Sequence, residues 1–493
     1  MITMPLALLN ANDLFVLGPL LAVVAAGFAC LVPLGAFVPR ILAFVGTATA
    51  FVMSLYGYTP ATTKSEEFLE RLGPALRDNV QFRMESVTGT LLLSAFGAFV
   101  ALWMLTRPVK HARRERAESA ARCFVAGASI LLVVARNAFL AYVGIELLTV
   151  SCVVHAIANG DATRQRIVAA GILRRHFVAS LLLLQGLALV YGGEGTLAIL
   201  QIDAVNRPGL VAPRGLSIVG GTLVFAALFL RLGAVPFGRR VRRELVRTPR
   251  ATRLLRIGMG QTALVLLLFA AATHIPRYLI GVVPIVALAT LLVGQIATLA
   301  SKDRDRLDAS LATTSTGFFL IAFASQTNGQ GVQDAGYAIR AGLLTLVPFV
   351  LSWLLWIGGN TLLDVHQDRD IDRFRGLGRR SPVLATLLSI AVLGLMGLPP
   401  TGAFWGRWLL LQSSWISLGP VMTAGFAFVA SLGAAWSLHF IGRMWFEAPA
   451  RETSSASSNA PAAQLVLAIA AILLFVTFAI PSTLLDTLVH IVL

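Results

Sequence analysis

The stretch LVFAALFLRLGAVPFG, residues 223–238, decides the fold. It is an apolar run of the kind that crosses a bilayer, with Arg231 inside it and glycine and proline breaking it before it ends. Proline cannot donate its backbone nitrogen and frees a carbonyl one turn earlier, so the interruption needs polar partners or water. A second stretch, LMGLPPTGAFWGRWLLL at 395–411, repeats the design around Arg407. Glu146 lies in FLAYVGIELLTVSCVV (139–154) and Arg340 in GYAIRAGLLTLVPFVL (336–351). Arg174, Arg175 and Arg256 occupy similar settings. A charge at the bilayer centre costs about 3 kcal/mol or more, so such residues face a protein interior or a wet cavity. Spread over separate helices, they predict a buried polar path for ions. Arginine hardly gives up its proton, so it can polarise water or pair with a carboxylate but cannot easily relay.

Composition agrees. The 493 residues are 57% hydrophobic and 13% charged, against about 25% charged in soluble domains. The chain therefore reads as an all-α integral membrane protein. Its net charge of +16 sits mostly in basic residues flanking spans, which is an orientation signal rather than a nucleic-acid surface. Only Lys64, Lys110 and Lys302 are lysines. Cys30, Cys123 and Cys152 lie singly in apolar segments without metal spacing and read as small buried hydrophobes. The start, MITMPLALLNANDLF, lacks a basic n-region and a small-residue cleavage site, so the first span is expected to be retained. No phosphate loop or dinucleotide fingerprint occurs, so no cofactor or metal is expected in this chain.

A span needs roughly 20 apolar residues, and periodicity gives about 14 of them. Charge follows the odd-numbered spans, in RPVKHARRER (107–116), RRVRRELVRTPR (239–250), KDRDR (302–306) and DRDIDRFRGLGRR (368–380). These loops are expected in the cytoplasm, with both termini outside. RRVRREL reads as a contact for anionic headgroups or an acidic partner. The two broken helices are spans seven and twelve, five apart, which predicts inverted five-helix repeats in spans 4–8 and 9–13. The organisation is then a three-helix segment (1–119), two repeats (120–275 and 276–450), and a linker with a C-terminal helix (451–493). RETSSASSNAPAA (451–463) reads as a flexible tether to a separable last helix.

The chain resembles the antiporter-like membrane subunits of respiratory complex I, the N-type subunit of bacterial NADH:quinone oxidoreductase most closely. The resemblance runs over about 120–445, through NAFLAYVGIELLTV, AGILRRHFVASLLLLQGLALVYGGEGTL, FLRLGAVPFG, DRDRLDASLATTSTGFFLIA and RGLGRRSPVLATLLSIAVLGLMGLPPTGAFWGR. It implies a proton-translocating channel in the bacterial inner membrane, without redox chemistry of its own, among other membrane subunits. The family glutamate of span five matches Glu146. Its basic residues on spans six, seven and twelve, normally lysine, match Arg174, Arg231 and Arg407. The span-eight basic position falls near Gly260, with Arg256 one turn earlier, and ASLATTSTG (309–317) lacks the family's histidine.

The expected proton path is therefore Glu146, Arg174, Arg231 and Arg407, joined by His155 two turns beyond Glu146 and by His439 in span thirteen. Arg256 and Arg340 are secondary candidates. Two other readings remain open: a membrane subunit of an ion-coupled uptake complex, for example for inorganic carbon, and a non-pumping scaffold that has lost the lysine relay.

Overall fold

A computed structural model of the chain describes residues 11–33, 35, 37–56, 87–107, 112–135, 137–158, 162–197, 214–272, 275–329, 332–363, 370–448 and 461–481. Its elements are helical, as a bilayer demands, because only helices and closed barrels satisfy every backbone polar group there. In chain order they are α1 (Ala11–Leu31), α2 (Val38–Tyr56), α3 (Val87–Leu105), α4 (Ala112–Val134), α5 (Ala138–Ala158), α6 (Ala162–Glu194), α7 (Arg214–Leu232) and α8 (Gly238–Arg247). There follow α9 (Arg250–Ala270), α10 (Val283–Leu299), α11 (Arg304–Asn328), α12 (Val332–Leu362), α13 (Pro382–Met396), α14 (Ala403–Leu418), α15 (Pro420–Phe446) and α16 (Pro461–Ala479). Among the described residues, 11 helices are long and apolar enough to cross a membrane, and three shorter apolar helices accompany them.

The chain divides into two compact units, one of residues 1–160, 180–224 and 491–493, the other of 161–179 and 225–490. In the first unit α4 is central, packed against α1, α2, α3 and α5. Arg40 of α2 ties it together: Nε donates to Glu115 Oε2 at 2.7 Å and Nη1 to the Met104 carbonyl at 3.0 Å, closing the end of α3. Just past that end, burial holds the Arg107 guanidinium below the usual arginine range, and Glu118 opposes this.

In the second unit α11 is the pillar, with every residue of its most apolar stretch buried. Asp303 caps it, accepting from the Asp305 backbone at 2.7 Å. The ASLATTSTG run is polar yet buried because, Thr314 apart, its hydroxyls bond back within the helix: Thr313 to the Ala309 carbonyl at 2.9 Å, Ser315 to Leu311 at 3.0 Å. Those small residues also let α10 close in. A Cβ on Gly317 would stand 2.6 Å from Leu291 Cα, and one on Gly294 2.6 Å from the Thr314 nitrogen. Neither neighbour is a flexible side chain that can yield. Gly317→Ala is expected to cost about 1–3 kcal/mol by overpacking, read as a lowered melting temperature in detergent.

The last helix packs on its neighbours. Leu467 and Leu474 of α16 are fully buried against the second unit, where α16 packs on α12 and α13. Helix α14 adds to that cover, with Trp405 stacked on Phe478. Residues 451–460 of that tether lie outside the described residues.

Candidate functional site

Both predicted breaks are present, and they share one backbone design. Helix α7 stops at Leu232; Gly233 takes a φ of 78°, which only glycine adopts freely. Gly233 N–H donates to the Leu230 carbonyl at 3.3 Å and Ala234 N–H to Phe229 at 2.9 Å, the paired bonds of a glycine helix stop. At the end of α13, Gly397 has a φ of 71°; its N–H donates to Gly394 at 3.2 Å and that of Leu398 to Leu393 at 2.9 Å. A cis peptide bond follows each, at Val235–Pro236 and Pro399–Pro400. Gly233, Pro236 and Gly238 thus stand in register with Gly397, Pro400 and Gly402.

The arginines do not share that register. Arg231 precedes its glycine, whereas Arg407 follows its own, beyond the break and in the first turns of α14. Arg407 reaches back over the break, with Nη2 3.4 Å from the Leu395 carbonyl and its guanidinium carbon 3.2 Å from the Phe318 ring centre. Its Nε and Nη1 are buried without a hydrogen-bond partner among the described residues.

Threonines serve the first break. Thr316 of α11 donates to the Leu232 carbonyl at 3.1 Å, Gln261 donates to Thr316 at 2.9 Å, and Thr290 of α10 accepts from Val235 N–H at 2.9 Å. Helix α16 serves the second: its Leu474 carbonyl accepts from Gly402 N–H at 3.2 Å and its Phe478 carbonyl from the Trp405 indole at 3.0 Å.

Beside the first break, four charged or titratable side chains converge from four helices. Arg231 of α7 brings Nη1 within 3.4 Å of His176 Nδ1 on α6. His176 Nε2 lies 3.3 Å from Glu244 Oε1 of α8 and 3.3 Å from Arg256 Nη2 of α9. Arg256 Nη1 also donates to Glu244 Oε1. Glu244 and Arg231 are 2% and 5% exposed, so this is a true interior cluster. Arg256 opens a π turn, Arg256–Gln261, inside α9. Such turns displace the register locally and recur at functional sites. A cavity of about 210 Å³ adjoins the cluster, lined by Arg174, His176, Val178, Leu230, Phe237, Arg240, Val241 and Glu244. On α8, outside the spans, burial and then Arg239 hold the Arg242 guanidinium below its ordinary range.

A second buried ion cluster sits at the start of α11. Asp308 and Arg253 are each 1% exposed. Arg253 Nη1 donates to Asp308 Oδ2, and Nη2 donates to Asp305 Oδ1 at 2.9 Å and to the Thr248 carbonyl at 3.0 Å. The Trp356 indole donates to Asp308 Oδ1 at 2.7 Å. Arg304 donates to the Asn360 carbonyl at 2.8 Å.

Of the residues expected from sequence, Arg231 and Arg256 meet in the first cluster, and Arg174 is exposed on α6 but lines the adjoining cavity. Arg407 stands apart at the second break. Glu146, half-buried in mid-α5, and His155, fully buried near its end, belong to the other unit. Arg340 is half-buried on α12, with a buried Nε that has no hydrogen-bond partner among the described residues. His439 is exposed on α15, beside the exposed Leu438, rather than in the interior where a second titrating group was sought.

Sequence reasoning passed over His176, Glu244, Arg253 and Asp308. Glu244 lies in RRVRREL, which reads as a contact for anionic headgroups or an acidic partner, but it is the single carboxylate there and adjoins Leu245 on the buried side of α8. That combination was the available signal.

Residues 135–433, which hold both breaks and both clusters, match the family described as NADH:quinone oxidoreductase/Mrp antiporter, TM. The chain is similar to NADH-quinone oxidoreductase subunit N of Alkalilimnicola ehrlichii, 28% identical over 326 residues and 65% of each chain. It is likewise similar to subunit N of Polaromonas naphthalenivorans, 29% identical over 381 residues and 72% of each chain. The chain matches 65% of the length of the first of these relatives and 72% of the second. Its fold is shared with a chain of respiratory complex I from Thermus thermophilus, at a TM-score of 0.74, 20% identity, and coverage of 95% and 99%. It is shared too with a chain of the Mrp complex from a Dietzia species, at a TM-score of 0.76, 16% identity, and coverage of 99% and 97%. The chain belongs to the NADH:quinone oxidoreductase/Mrp antiporter transmembrane family.

Proposed function

We propose that this chain is the N-type, proton-translocating antiporter-like membrane subunit of a complex I-type NADH:quinone oxidoreductase in a bacterial inner membrane. Electron transfer then belongs to partner subunits, and this chain moves protons in response. The observation that carries the reading is the cluster of His176, Arg231, Glu244 and Arg256 beside a broken helix. Broken helices that expose backbone groups at mid-membrane are where ion carriers place their sites. The similarity to the subunit N relatives supports the parent complex.

The proposal extends to organisation. The matched glycine stops at Gly233 and Gly397 support two inverted repeats, 120–275 and 276–450, within 14 spans. A three-helix segment (1–119) and a linker with a final helix (451–493) flank them. The basic-rich loops put both termini on the periplasmic side. Glu146, His155, Arg174, Arg407 and His439 are the remaining stations of the proposed path, with Arg340 a secondary candidate.

The non-pumping scaffold is favoured by one observation: Arg256 is held against Glu244 as a salt-bridged structure would hold it. Proton transport by the assembled complex in proteoliposomes separates the two. Glu146→Gln and Arg231→Ala should each lose most of the transport while quinone reduction continues. Full transport in both variants would leave the scaffold.

A further inference from the structure

Helix α8 lies outside the spans and gathers its charge on one face. Arg239, Arg240, Arg243 and Arg247 fall within about 100° of arc at about 3.6 residues per turn, and all four are exposed. The one carboxylate of this helix, Glu244, is buried and accepts from Arg256, so it does not offset that face. Among the described residues no carboxylate pairs with any of the four arginines.

Arg174 adds a fifth charge of the same sign, exposed and likewise without a carboxylate partner among the described residues. It sits on α6, inside a span that begins at Arg166, yet it lines one cavity together with Arg240 of α8. A basic side chain so placed keeps its stem on apolar surface and its head at the level of lipid headgroups. The other walls of that cavity of about 210 Å³ are largely apolar, with Val178, Leu230, Phe237 and Val241. All of these residues belong to the second unit. Leu173 and Phe177, beside Val178 on α6, are exposed, so open apolar surface adjoins the cavity.

An uncompensated cationic rim over an apolar cleft fits a ligand that is anionic at one end and hydrocarbon at the other. An acidic protein segment or a free phosphate would satisfy the rim and leave the apolar walls unused. Guanidinium groups match phosphate oxygens in geometry as well as in charge. We propose that this cavity binds one anionic phospholipid. Its phosphate lies between Arg174 and Arg240, and the start of an acyl chain lies on Val178, Leu230, Phe237 and Val241. Arg239, Arg243 and Arg247 draw further anionic headgroups to α8. The site does not depend on whether the chain moves protons.

The test reconstitutes the full-length chain in nanodiscs of phosphatidylglycerol and phosphatidylcholine in equal parts. Native mass spectrometry then counts the lipids that stay bound to the chain. The parent should retain phosphatidylglycerol in preference to phosphatidylcholine. Arg174→Gln with Arg240→Gln should lower that preference by about fivefold for each charge removed, with melting unchanged because both residues are exposed. Arg277→Gln, at an exposed arginine away from α8, should leave it as in the parent. Val178→Trp keeps every charge and fills the cavity from an exposed position, so it should lower the preference severalfold. A diffuse attraction of headgroups to α8 would not show that loss. Excess inorganic phosphate should not displace the lipid; displacement would mean a site for free phosphate and would overturn the proposal. So would full retention of phosphatidylglycerol by the double arginine variant or by Val178→Trp. Equal retention of the two lipids by the parent also overturns it, and leaves the arginine face to an acidic protein partner.

Discussion

Glu244→Gln is expected to have the largest effect of any single substitution on this chain. Glu244 is 2% exposed and accepts from Arg256 at the same oxygen that faces His176. Gln would keep the shape and remove the charge, depriving Arg256 of the carboxylate to which it donates. Breaking one side of a buried ion pair typically costs about 3–5 kcal/mol, because the remaining charge stays desolvated. The folded chain should therefore melt well below the parent in detergent, and proton transport should fall with it. Arg240→Gln, an exposed neighbour on the same helix, should shift stability by no more than about 0.5 kcal/mol. Equal melting of the Glu244→Gln variant and the parent would show that the cluster carries no net charge requirement.

Asp308→Ala should come next. It removes the acceptor of both Arg253 and the Trp356 indole, at positions where water has almost no access. Loss of about 3–5 kcal/mol is expected from the orphaned guanidinium. Asp305, 2.9 Å from Arg253, holds the effect toward the lower end. The pair is architectural, so a double replacement, Arg253→Met with Asp308→Leu, should recover most of the lost melting temperature. A double variant as unstable as the single would mean that the charges do more than fill the site.

The fold was largely legible because its signals are local. Apolar runs bounded by charged turns give helices in a bilayer, and glycine followed three residues later by proline, at 233–236 and 397–400, gives the two stops. Arg231 was recoverable for the same reason: a charge inside such a run has to be inside the protein. Glu244 and Asp308 were harder, because the sequence places them in arginine-rich turns that read as solvated. Only packing shows that α8 turns one carboxylate inward, or that α11 begins buried. That Arg231 precedes its glycine and Arg407 follows its own is plain in the sequence. What Arg407 touches was not, because its guanidinium lies over Phe318 from another helix.

Both breaks are completed only by helices that follow them in the chain. The first draws on Thr290, Gln261 and Thr316, the last of these 84 residues beyond Leu232. The second takes its acceptors from Leu474 and Phe478, the latter 73 residues beyond Trp405 and across the serine-rich tether. A chain truncated before α16 would therefore keep every one of these partners of the first break while the Gly402 amide and the Trp405 indole lose their acceptors.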